Sequence, residues 1–144
     1  MHANYLSRLT PKNFAATLRQ AEKYIKKEFP NCNMLSGMGL SGAMIVPALA
    51  AKMGLSWAIV RKNDRSHSSL KVEISNMPDG GARIVIVDDL IFSGGTVKAV
   101  IRQMKSYCRP WSCEFVGGVL YEDRSCHNIE GVRFIGLGNR TLWR

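Results

Sequence analysis

The chain has 144 residues, of which 46% are hydrophobic and 22% charged, with a formal net charge of +9. That length supports one domain with its own core, and no apolar run approaches the roughly 18 residues of a membrane span, so a single non-membrane domain over residues 1–144 is expected. The surplus of cations implies an anionic partner and leaves open nucleic acid, a membrane surface or a phosphorylated small molecule.

The opening segment MHANYLSRLT lacks the charged-then-apolar layout of a secretory signal, which leads to the expectation of a cytoplasmic protein. Cys32, Cys108, Cys113 and Cys126 form no Cys-x-x-Cys pair and have no histidines at zinc spacing, so they read as reduced, structural thiols. Thr10 followed by Pro11 marks a helix start, and Phe14, Leu18, Ala21, Tyr24, Ile25 and Phe29 recur at helical spacing until Pro30. The short run 32–36 reads as a strand leading into a glycine-studded turn, Gly37-Met38-Gly39-Leu40-Ser41-Gly42. The segment AMIVPALAAKM then reads as a buried helix closed by Gly54.

Residues 57–62, WAIVRK, predict a strand, the polar stretch after it a mobile loop, and residues 71–75 a returning hairpin arm. RIVIVDD is a continuous β-branched run ending in two acids, the pattern of a central parallel strand buried on both faces. A helix over 95–107 and strands in CEFVGGVLYED and VRFIGL complete the chain. The alternation predicts an α/β fold, a central and mostly parallel sheet flanked by helices on both sides. Trp57, Trp111 and Trp143 lack basic interleaving and read as core or interface, and His2 and Cys126-His127 as surface residues.

The strongest chemical signal is Ile84-Val85-Ile86-Val87-Asp88-Asp89-Leu90-Ile91-Phe92-Ser93-Gly94-Gly95-Thr96, a buried strand passing through a glycine turn into a helix. Gly94 and Gly95 admit a ligand close to the backbone, helix-start N–H groups point outward, and Ser93 and Thr96 add hydroxyls, so the turn suits a phosphate. Asp88 and Asp89, at the carboxyl end of a sheet strand, can accept hydrogen bonds from a sugar diol or orient water on a metal. The segment matches neither Gly-x-x-x-x-Gly-Lys nor Gly-x-Gly-x-x-Gly.

This segment resembles the phosphoribosyl pyrophosphate (PRPP) motif of the type I phosphoribosyltransferases. The resemblance implies that Asp88 and Asp89 hold the ribose hydroxyls and that Ser93, Gly94, Gly95 and Thr96 hold the 5-phosphate. Phe92 stands where the hypoxanthine-guanine branch typically carries an aspartate, which counts against that branch. Arg61, Lys62, Arg65 and His67 form Arg-Lys-x-x-Arg-x-His, which resembles the catalytic loop of orotate phosphoribosyltransferases and implies a homodimer whose subunits share the loop. Met38, Gly39, Leu40, Ser41 and Gly42 fall where the family places its pyrophosphate turn, but Ser41 replaces a basic residue. Glu122-Asp123-Arg124 is similar to the Asp-Arg with which orotate enzymes contact the base carboxylate, which implies Arg124 as the base contact, while the N-terminal hood over the base is reduced to one helix.

The chemistry so implied is transfer of phosphoribose from PRPP to a nucleobase nitrogen with release of pyrophosphate, orotate being the favoured acceptor. Magnesium would be carried by PRPP and water rather than by a direct protein ligand. Preorganised cations would stabilise the leaving group, and loop closure would exclude water. Two alternatives stand beside it: a PRPP- or nucleotide-sensing regulator of the same fold that binds RNA with its positive charge, and a non-enzymatic relative.

Overall fold

The computed structural model of the chain describes residues 10–62, 71–91, 93–109 and 111–138. The first helix, α1 (Pro11–Glu28), starts where Thr10-Pro11 predicts, and it buries Thr17, Ala21 and Ile25. Strand β1 (Met34–Met38) passes directly into α2 (Gly39–Met53), which is followed by β2 (Ser56–Val60) and the short hairpin arm β3 (Val72–Ile74). The acid-tipped strand is β4 (Ala82–Asp88), and α3 (Gly95–Tyr107) follows it at the predicted bounds. Strands β5 (Cys113–Leu120), β6 (His127–Ile129) and β7 (Val132–Gly136) close the fold.

The strands form one seven-stranded sheet in the order β3-β2-β1-β4-β5-β7-β6. Strands β2, β1, β4, β5 and β7 run parallel, and the two edge strands β3 and β6 run antiparallel to their neighbours. Strand β4 sits centrally, as its unbroken apolar run requires, and its side chains divide strictly by period two. Ile84 and Ile86 face α3 with Val97, Val100, Ile101 and Met104, whereas Val85 and Val87 face α1 and α2 with Ile25, Ile45, Val46 and Leu49.

One sequence expectation changes. The glycine segment 37–42 is not a loop: Gly37 and Met38 finish β1, and α2 begins at Gly39, four residues before the apolar run that predicts it. The glycines serve packing instead. A Cβ on Gly37 would lie 2.8 Å from the Val87 carbonyl oxygen and 3.1 Å from the Gly42 Cα, so the strand and the first turn of the helix touch backbone to backbone. Between β5 and β7 stands a hairpin arm, β6, to which the sequence reading assigned no element.

Close approach also governs β5. The ring of Phe29, just past the end of α1, covers Gly117 at the position a Cβ would take, and the Arg133 guanidinium carbon lies 5.5 Å from the ring centroid. No described helix is long and apolar enough to cross a membrane.

Candidate functional site

Chain order reverses across the sheet at β1 and β4: β2 lies on the outer side of β1, and β5 on the other side of β4. Ligands of open α/β sheets bind at the carboxyl ends of strands flanking such a switch. Here β1 passes directly into the first turn of α2, and β4 is joined to the first turn of α3 by residues 89–94. Neither helix carries an acid in its first turn or a hydrogen bond from an N-cap side chain, so partial positive charge and backbone N–H groups face the crevice.

Asp88, only 4% exposed, closes β4 at this point. Its Oδ1 accepts the Asp89 amide at 2.9 Å and the Ser41 hydroxyl at 3.3 Å. Burial, followed by the neighbouring Asp89 carboxyl, pushes Asp88 up to about 7, against the opposing pull of the Asp89 amide and the Ser41 hydroxyl. Asp89 is half-buried, and its Oδ1 accepts the Leu90 amide at 2.8 Å. Two adjacent carboxyls can accept hydrogen bonds from a diol, and the buried one, which burial makes easier to protonate, can also donate when protonated.

Among the predicted phosphate-turn residues, Gly94 is left-handed (φ +82°) immediately before α3, and Ser93 Oγ accepts the Gly95 amide at 3.3 Å. Gly95 and Thr96 open the helix. Phe92 lies outside the described residues. The turn preceding Ser93 is fastened from the far side. Backbone amides of Tyr121 and Glu122 donate to the carbonyls of Asp88 and Asp89, at 3.0 and 2.7 Å. The Asp123 carboxylate accepts the Ile91 amide at 3.2 Å, the Ser125 amide at 2.9 Å, and a bond from His127 Nε2 at 2.8 Å.

Burial opposes ionisation of Asp123, but the Ser125 and Ile91 amides and His127 outweigh it and hold the carboxyl below its usual range. Sequence reasoning missed Asp123 as a clamp, having read Asp123-Arg124 as similar to the Asp-Arg pair with which orotate enzymes contact the base. Asp123→Asn is expected to cost roughly 1–3 kcal/mol and to speed hydrogen exchange at the Ile91 amide. Unchanged exchange at Ile91 would show that the carboxylate does not hold the turn.

At the pyrophosphate-turn positions, Met38 ends β1 and Gly39, Leu40, Ser41 and Gly42 form the first turn of α2. Gly39 takes a left-handed φ of +64°, and a Cβ there would fall 2.9 Å from Lys62 Cε, so the Lys62 stem lies across the turn. Arg61 pairs through Nε with Glu73 at 3.1 Å. Arg61 and Lys62, with Lys71, Thr96, Arg102 and Gln103, line a polar cavity of about 570 Å³ that reaches the start of α3. Lys71 and Arg102 are further cations that sequence reasoning did not select, since neither belongs to a spaced motif. Arg65 and His67 lie outside the described residues. Arg124 is exposed in the connection after β5.

The remaining candidates supply no rival chemistry. Burial raises the thiols of Cys32 and Cys113, to about 11 and about 12, and that of Cys108, so none of these three is poised as a thiolate. All four cysteines are free. Trp57 packs against the core, Trp111 is exposed and stacks on Tyr107, and Trp143 lies outside the described residues. His127 is partly buried on Asp123.

A family model described as "Phosphoribosyl transferase domain" matches residues 14–109, from α1 to the end of α3. The chain belongs to this phosphoribosyl transferase family. An adenine phosphoribosyltransferase of Bifidobacterium longum subsp. infantis is 33% identical over 102 residues, covering 62% of this chain and 53% of that protein. An orotate phosphoribosyltransferase of Streptococcus agalactiae serotype III is 31% identical over 84 residues, 58% of this chain and 40% of that protein. The chain thus spans about half the length, or less, of these relatives.

Solved structures agree on the phosphoribosyltransferase fold. The orotate phosphoribosyltransferase of Aeropyrum pernix superposes with a TM-score of 0.67 at 18% identity, covering 92% of this chain and 75% of that one. The adenine phosphoribosyltransferase of Leishmania tarentolae gives 0.61 at 19% identity, covering 89% and 71%. The sheet and its flanking helices are those of a type I phosphoribosyltransferase.

Proposed function

We propose that this family member transfers phosphoribose from PRPP to a ring nitrogen of a nucleobase, with orotate the favoured acceptor. The observation that carries the reading is the acid pair Asp88-Asp89 at the switch point, with Asp88 bonded to Ser41 on the first turn of α2. One turn suits the 5-phosphate (Ser93 to Thr96), the other the diphosphate (Gly39 to Gly42), and the acids between them suit the ribose diol.

In the reaction the bond from ribose C1 to the diphosphate oxygen breaks with its electron pair leaving on the diphosphate. A nitrogen lone pair of the base forms the new bond to C1, and the base loses its proton. Asp88 and Asp89 hold the ribose hydroxyls and lie where positive charge develops on the sugar. The amides of the α2 first turn and the Lys62 ammonium receive the departing charge, and Arg61, Arg65 and His67 would add to it. Magnesium is expected to be carried on PRPP oxygens and water rather than on a protein ligand. Magnesium so bound would neutralise the diphosphate. The orotate preference rests on the loop pattern through His67 and on Arg124.

A second copy of the chain is the expected partner. An apolar groove of about 650 Å³ between α2 and β2, lined by Leu40, Ala43, Pro47, Trp57 and Ile59, fits that expectation. Convergence of Arg61, Lys62, Lys71 and Arg102 on one cavity favours a compact phosphorylated ligand over an extended RNA face.

The test is pyrophosphate release from PRPP with magnesium, run in parallel with orotate, uracil, adenine, guanine and hypoxanthine. Release with orotate supports the whole reading, release with adenine alone corrects the acceptor, and silence with all five rejects the transferase. Lys62→Ala should weaken PRPP by about ten-fold in calorimetry while leaving ribose 5-phosphate unaffected, because only PRPP carries the diphosphate. Equal losses for the two ligands would remove Lys62 from the diphosphate turn.

A further inference from the structure

Asp88 is held by two donors of different origin. The Asp89 amide is its immediate neighbour, but Ser41 reaches it from 47 positions away, on the first turn of α2. Ser41 is itself fixed. Tyr121, fully buried, donates its hydroxyl to the Ser41 carbonyl at 3.1 Å, and its own amide donates to the Asp88 carbonyl at 3.0 Å. Three residues from α2, β4 and the end of β5 thereby close a ring around the carboxyl.

We propose that Ser41 is a positioning residue whose hydroxyl fixes the Asp88 carboxyl for the ribose diol, so that this turn controls its acid through a neutral group. The inference rests on the phosphoribosyl reading of the site, which it deepens. A hydroxyl can keep hold of Oδ1 while Oδ2 remains available to a sugar hydroxyl. A cation at the same place would instead pair with the carboxylate and compete with the sugar.

The charged surroundings support this control by a neutral group. Asp89 sits beside Asp88 and opposes its ionisation. From α2 no acid lies in the first turn, and the last-turn cation is Lys52, at the opposite end. From the end of β2, Lys62 lies across Gly39, and from the end of β5 come Tyr121 and Glu122, the latter bonded through its amide to the Asp89 carbonyl. Among the described residues no cation is hydrogen-bonded or ion-paired to Asp88, so the Ser41 hydroxyl is the side-chain donor that favours its charged form.

The sign follows. Removing a donor to the carboxylate moves Asp88 further toward its protonated form, and a protonated acid is a poorer acceptor for the diol. In the intact chain, carbon-detected NMR titration of the aspartate carboxyls should show the Asp88 midpoint moving up by about half a pH unit to one unit in Ser41→Ala. Ser41→Thr, which keeps the hydroxyl, should restore it. Calorimetry with ribose 5-phosphate should show Ser41→Ala weaker by about three- to ten-fold near neutral pH, the deficit closing as pH rises and Asp88 ionises regardless.

A folded Ser41→Ala protein with an unmoved Asp88 midpoint overturns the proposal, as does a threonine variant that behaves like alanine. If the wild-type chain fails to bind ribose 5-phosphate, the phosphoribosyl reading falls. The carboxyl titration, which needs no ligand, still judges the part played by Ser41.

Discussion

Asp88→Asn is expected to give a protein that melts higher than the wild type at mildly alkaline pH and no longer holds ribose 5-phosphate. Both effects have one cause, a carboxyl buried to 4% exposure at the place where a sugar would bind. The ordinary carboxyl value is 3.8, and burial with Asp89 beside it raises Asp88 to about 7. A raised folded-state value means that the folded chain binds the proton more tightly than the unfolded one. The stability linked to that proton is therefore fully present below the ordinary value and is lost as pH rises through the folded one.

Asparagine keeps an Oδ1 for the Asp89 amide and the Ser41 hydroxyl but never ionises. Its advantage should be near zero below about pH 4 and grow to a few kcal/mol by about pH 8. Melting curves for both proteins across this range check it. A difference independent of pH would mean that Asp88 does not carry the buried charge. Retained affinity for ribose 5-phosphate would remove it from the diol.

Gly37→Ala should damage the contact between β1 and the start of α2. Its Cβ would meet the Val87 carbonyl oxygen at 2.8 Å and the Gly42 Cα at 3.1 Å. Both neighbours are backbone, so no rotamer change relieves the contact, and either β1 or the start of α2 has to move. A cost of about 3 kcal/mol is expected, at the upper end for overpacking. The same displacement carries Gly39 to Gly42 away from β4, so PRPP affinity should fall in whatever fraction remains folded. Gly54→Ala makes the comparison: nothing lies within 4 Å of its Cβ, and the φ of +70° alone should cost about 1 kcal/mol. Equal melting temperatures for the two variants would contradict the close contact of β1 with α2.

The parts of this molecule that could be read in the sequence are those whose signal is local. RIVIVDD announces a strand buried on both faces, and Gly94-Gly95 announces a helix start, so β4, α3 and the acids between them follow from adjacent residues. The start of α2 was misplaced because glycine has two uses, and Gly37 and Gly42 are here for contact rather than for a turn. The β6–β7 hairpin was missed because its turn is Glu130-Gly131, both at positive φ, and glutamate does not mark such a turn as asparagine or aspartate would. The Asp123 clamp and the Ser41–Asp88 bond join residues 32 and 47 positions apart, and no spacing rule reaches across such distances.

The ring of Phe29 lying in the space above Gly117 has a consequence for how this chain can change over generations. Neither residue can be replaced alone without harm: a side chain at 117 collides with the ring, and a smaller residue at 29 opens a void beneath the Arg133 guanidinium. An evolving lineage must therefore alter both positions together or neither. Relatives with alanine or larger at the position of Gly117 should carry a smaller residue at that of Phe29. In the laboratory, the double substitution Gly117→Ala with Phe29→Leu should be less destabilising than the sum of its parts.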